Sequence, residues 1–171
     1  KAPDGTHFFL PPDEPTQLWQ GEQAMAVFRE QGADVVAEDL GTVPGFVRES
    51  IARMGIGGYK VLRWERAWHA HGRPFTAPSD YPACSVATTG THDTEPMAAW
   101  WDAAPRNDRA ALVDVMQRSG VGGWDPAAPW TDALRDGLLR MMCTRASDHL
   151  FLPIQDVFGW RDRINEPATL T

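Results

Sequence analysis

The apolar positions along the chain fall into short runs that switch between two periods. From Thr16 onward Leu18, Met25 and Phe28 recur at helical spacing, and Gly32 is placed to stop that helix. The next run, Ala33-Asp34-Val35-Val36-Ala37, reads as a short buried strand broken by Glu38-Asp39-Leu40-Gly41. A second helix is predicted after Thr42, a good N-cap with Pro44 in its first turn, and its stripe is Val47, Ile51 and Met54 before Gly55. Strands follow at 59–64 and 85–89, separated by a Pro- and Gly-containing loop from about His69 to Pro82. That loop is long enough to carry function. Beyond it the pattern predicts a helix through Trp101 capped by a threonine, helices near 108–119 and 131–145, and a last strand near 150–154. Residues 1–15 hold four prolines and read as a surface loop, because proline removes donors and restricts its neighbours.

Strands alternating with helices imply parallel pairing through right-handed crossovers. Each predicted strand is short and runs out into polar residues, which is how a (β/α) barrel presents reactive groups at the C-terminal ends of its strands. A complete barrel needs eight strands and about 250 residues. The expected fold is therefore α/β, the C-terminal half of a (β/α)8 TIM-type barrel, with parallel strands, helical crossovers and insertions. Residues 1–171 are expected to form a single partial domain. Half a barrel leaves two edge strands and an open apolar interior, so self-association or a marginal, partly ordered fold is expected.

Composition narrows the choice of partners. The net charge of −7 and a sequence pI near 5.1 leave no electrostatic footprint for nucleic acid or an anionic membrane. No stretch approaches the roughly 18 apolar residues of a membrane span, and the N-terminus lacks the apolar segment of a signal peptide. Cys84 and Cys143 form neither a CxxC pair nor a disulfide framework and read as buried small hydrophobes in a reducing compartment. The expected location is cytoplasmic. Eight tryptophans are many for this length; they can fill a core or stack on the apolar faces of sugars.

Two polar clusters sit where strands end. Glu38-Asp39 follows the first strand, and Thr91-His92-Asp93 follows the third. Either could instead cap a helix, and Glu38 or Asp39 could pair with a nearby arginine. Carboxylates at the ends of two parallel strands also suit glycoside chemistry, in which an acid/base and a nucleophilic carboxylate lie roughly 5 to 5.5 Å apart in retaining enzymes. A metal site built on His92-Asp93 or on His69 and His71 lacks further His or Cys ligands to complete a shell. The two Gly-rich tracts, 55–58 and 120–123, lack the context of phosphate loops, and no Gly-x-Ser-x-Gly elbow supports serine chemistry.

Five blocks of sequence carry a resemblance. They are Val36-Ala37-Glu38-Asp39-Leu40-Gly41-Thr42-Val43-Pro44, Gly58-Tyr59-Lys60-Val61-Leu62, Thr89-Gly90-Thr91-His92-Asp93-Thr94, Leu152-Pro153-Ile154-Gln155-Asp156 and Arg163-Ile164-Asn165-x-Pro167. In this order they closely resemble the amylomaltase or 4-α-glucanotransferase family, glycoside hydrolase family 77. The resemblance implies transfer of α-1,4-glucan segments between maltooligosaccharides by a retaining double displacement, without metal or organic cofactor. It implies Glu38 as general acid/base, Asp93 as transition-state stabiliser, and Asp39, His92 and Asn165 as contacts to sugar hydroxyls, while Asp156 looks structural. The family's nucleophile lies in an Arg-x-Asp-His-like motif, which nothing upstream of Glu38 matches. The chain is thus expected to be a fragment, inactive by itself; the alternative is a non-catalytic carbohydrate-binding or scaffolding module derived from the same family.

Overall fold

Asp13 starts the first helix. Its carboxylate accepts the Thr16 N–H at 2.9 Å, and Pro15 occupies the first turn, where a missing donor costs nothing. Helix α1 (Glu14–Glu30) therefore begins inside the stretch that its prolines mark as loop. The computed structural model describes residues 10–164. Residues 1–9 of the expected loop and Asn165 lie outside the described residues.

Strand β1 is only Val36–Ala37, and it departs from the buried strand of five residues that the apolar run predicts. Val36 is 37% exposed. The reason is its place at an edge: the four strands form one sheet in the order β1-β2-β3-β4. Edge strands keep one flank unpaired, so an apolar sequence there does not guarantee burial. Helix α2 (Gly45–Arg53) follows, with Pro44 rather than Thr42 at its N-cap. Strand β2 (Gly57–Val61) pairs parallel with β1, Val36 opposite Gly57 and Ala37 opposite Gly58.

The chain gathers into two compact units that divide between Gly58 and Tyr59. In the first, Glu22 of α1 reaches α2, accepting the Ser50 hydroxyl at 2.6 Å and pairing with Arg53. No residue of α1 is fully buried, and Trp19, Val27 and Phe28 are exposed.

The second unit holds the core. Strands β3 (Ser85–Thr88) and β4 (His149–Phe151) pair in parallel, Val86 opposite His149 and Thr88 opposite Phe151. The Leu62 N–H, just past β2, donates to the Thr88 carbonyl at 2.9 Å. Helices α3 (Met97–Ala103), α4 (Arg106–Arg118) and α5 (Asp132–Met142) supply Trp101, Leu112, Met116, Leu138 and Met141, all buried. Trp101 satisfies its indole by donating to the Ala128 carbonyl at 3.0 Å, as a fully buried tryptophan requires. The loop between β2 and β3 is held by an antiparallel bridge between Arg66 and Phe75, and the Phe75 ring plugs into the core.

Three local expectations change in this unit. The apolar run 150–154 divides at Pro153: β4 ends before it, and a short helix, α6 (Ile154–Phe158), begins after it. Helix α3 starts at Pro96, not at a threonine cap. Both cysteines are exposed and free, not buried. Cys84 precedes β3 in a loop and Cys143 is the C-cap of α5, beyond its apolar stripe. Among the described residues no helix is long and apolar enough to cross a membrane.

Candidate active site

At the exit of β1 the chain turns at once, the Asp39 N–H donating back to the Ala37 carbonyl at 3.1 Å. Glu38 is exposed on this turn, whereas the Asp39 side chain is 8% exposed and lies against the backbone of β2. The contact needs a glycine: a Cβ on Gly58 would stand 2.7 Å from Asp39 Oδ1. Arg48 of α2 lies on the other side, its Nε 3.7 Å from Asp39 Oδ2 and its Nη2 donating to the Asp39 carbonyl at 3.3 Å. Of the two plain readings, the arginine partner applies to Asp39, and helix capping applies to neither carboxylate because Pro44 opens α2.

At the exit of β3 the turn from Gly90 to Pro96 is closed by its threonines. The Thr91 N–H donates to Thr94 Oγ1 at 2.9 Å, and that hydroxyl donates to the Thr91 carbonyl at 3.0 Å. Asp93 is consequently not the cap of α3; the Met97 N–H of that helix donates to Asp156 instead, at 2.6 Å. The Asp93 and His92 side chains are both largely exposed and meet each other, Nε2 to Oδ2 at 3.2 Å. Arg163 donates to the Asp93 carbonyl at 3.1 Å.

Asp93 opens onto a cleft of about 370 Å³. Its walls combine three chemistries: carboxylates (Asp93, Glu95, Asp108), guanidiniums (Arg63, Arg66) and indoles (Trp64, Trp100). Two of the acids are matched by arginines, Glu95 by Arg63 at 2.9 Å and Asp108 by Arg66 at 2.8 Å. Arg63 also packs over the Trp100 ring, 6.0 Å from its centroid, and Arg66 over Phe75 at 3.8 Å. Burial pulls the Arg63 titration down, against the pull of Glu95 and Asp156 in the other direction; as an arginine it stays charged. A mostly polar cleft with two indoles presents hydrogen-bonding groups beside flat apolar surface.

Asp156, which the resemblance implies to be structural, is 2% exposed. Burial pushes its carboxyl above the usual carboxylate range, opposed by the Thr89 hydroxyl, the Met97 N–H and the Arg63 charge. The residues that motif reading missed are Arg63, Trp64, Glu95 and Trp100. Arg63 and Trp64 lie just beyond β2, after Leu62, so the strand-exit rule that picked out Glu38 and Asp93 applies to them too. Among the described residues no three His, Cys, Asp or Glu side chains gather closely enough to hold a metal ion.

The family model described as 4-alpha-glucanotransferase, glycoside hydrolase family 77, matches residues 4–171. The chain belongs to the 4-alpha-glucanotransferase family. Among curated 4-alpha-glucanotransferases, that of Chlamydia caviae is 36% identical over 103 residues, covering 60% of this chain and 19% of the relative. That of Streptococcus pneumoniae is 36% identical over 148 residues, covering 85% of this chain and 27% of the relative. Two solved amylomaltases share the fold. The enzyme from Streptococcus agalactiae, in complex with acarbose, superposes with a TM-score of 0.65 at 20% identity, over 86% of this chain and 28% of that one. The enzyme from Corynebacterium glutamicum gives 0.67 at 21% identity, over 81% and 23%. This glucanotransferase-family chain thus spans about a fifth to a quarter of the length of its relatives. Its α/β sheet is part of the amylomaltase barrel.

Proposed function

We propose that the protein carrying this chain is a 4-α-glucanotransferase that moves α-1,4-glucan segments between maltooligosaccharides by a retaining double displacement. In this reading Glu38 protonates the glycosidic oxygen as its bond to the anomeric carbon breaks, and later takes the proton from the acceptor 4-hydroxyl. Asp93 stabilises the positive charge that develops on the sugar ring. Asp39, His92 and Asn165 hold sugar hydroxyls. The nucleophilic carboxylate that accepts the glycosyl group is not in this sequence, so residues 1–171 alone are expected to be inactive as one part of a larger catalytic barrel in the cytoplasm.

The observation that carries the reading is the placement of the acids. Glu38 and Asp93 stand exposed at the exits of β1 and β3, neither caps the helix that follows, and Asp93 faces a cleft that also presents tryptophan. Disproportionation of maltotriose by a polypeptide that adds the upstream strand provides the test. Glucose and longer maltooligosaccharides should appear, and Glu38→Gln should abolish them. Glucan binding without any transfer would instead point to a non-catalytic carbohydrate module.

A further inference from the structure

The turn that carries Asp93 is held at both ends by one side chain. Thr89 is the last residue before Gly90, and Met97 is the first residue of α3. Asp156 joins them: one carboxylate oxygen accepts the Thr89 hydroxyl and the other accepts the Met97 N–H at 2.6 Å. It reaches both from the start of α6, beyond β4, so the clamp is supplied by a distant stretch of chain. The far limb of the turn has its own anchor. Arg63, 8% exposed, donates to the Glu95 carboxylate at 2.9 Å and to the Glu95 carbonyl at 2.7 Å. Packing leaves little slack, since a Cβ on Gly90 would lie 2.5 Å from Thr94 Oγ1, the atom that closes the turn.

We propose that Asp156 is a positioning residue for Asp93, acting through Thr89 and Met97, with Arg63 as the second anchor through Glu95. The proposal rests on the reading of Asp93 as the transition-state stabiliser. A residue needed only to cap α3 would use one oxygen, on the Met97 N–H. The second oxygen, on Thr89, fixes the distance between the two ends of the turn and so the place where the Asp93 carboxylate stands. Electrostatic stabilisation depends on such preorganisation, and a displacement of about 1 Å costs on the order of 10²-fold in rate.

Thr89→Val removes the clamp's first contact and leaves the helix cap in place; Asp156→Asn weakens both. Thr131→Ala is the control, because Thr131 caps α5 through the Leu134 N–H and lies outside the cleft. Amide hydrogen exchange on the 171-residue chain should be about tenfold faster at 90–95 in Thr89→Val, with the amides of α5 unchanged. In a polypeptide that also carries the upstream strand, kcat for maltotriose transfer should fall about 10²-fold with KM within about twofold, while Thr131→Ala leaves both unchanged. Unchanged exchange at 90–95, or acceleration spread equally over α5, overturns the clamp. A fall in kcat matched by Thr131→Ala overturns it as well. If the unmutated polypeptide transfers no glucan, the functional reading fails, and the exchange experiment still decides whether Asp156 holds the turn.

Discussion

At the exit of β1 Asp39 leans on an exposed arginine and on the backbone of β2, whereas at the exit of β3 the turn bearing Asp93 is tied to a buried carboxylate and a buried guanidinium. The first arrangement buries an acid next to its partner; the second leaves an acid exposed and buries the groups that hold its backbone. An acid meant to meet a developing charge benefits from the second, because its own carboxylate stays solvent-exposed while the turn beneath it is fixed. Both exits rely on a glycine to admit a polar side chain, Gly58 for Asp39 and Gly90 for Thr94.

The contrast can be broken most sharply at the two acids. In a polypeptide completed by the upstream strand, Asp93→Asn should lower kcat for maltotriose transfer by about 10³-fold or more, with the thermal midpoint unchanged because the side chain is largely exposed. Asp39→Asn should act mainly through KM. Equal losses of kcat from the two would erase the distinction between the exits.

A smaller effect is expected at Gly58. Gly58→Ala drives a methyl into a buried carboxylate and should cost about 1–3 kcal/mol of stability, read by denaturant unfolding. The smallest change belongs to Arg48. Its side chain is 52% exposed and its nearest approach to the Asp39 carboxylate is 3.7 Å, so Arg48→Ala should cost less than about 1 kcal/mol. A larger loss would mean that the exit of β1 depends on its arginine as heavily as the exit of β3 depends on Arg63.

Much of this organisation was legible in the chain, and what was not has a common cause. The strands and both acid-bearing exits show as short apolar runs that end in polar residues, a local signal. Thr42 and the threonines before α3 look like caps, whereas Pro44 and Pro96 open those helices and the Thr94 hydroxyl closes a turn with Thr91. The apolar sequence of β1 says nothing of its edge position, which leaves Val36 exposed. Leu150 to Ile154 is apolar throughout, so only Pro153 hints that a helix replaces the end of the strand. Arg63 and Asp156 act on the Asp93 turn from distant parts of the sequence, and no local period reveals such contacts.

The proposed function places a glucan in the cleft beside Asp93, and maltotriose, the substrate of the transfer assay, probes it directly. Titrating the 171-residue chain with maltotriose by two-dimensional NMR should shift the indole resonances of Trp64 and Trp100 and the amides of the Asp93 turn. Shifts confined to tryptophans outside the cleft lining, such as Trp160, or no shifts at saturating maltotriose, would contradict it.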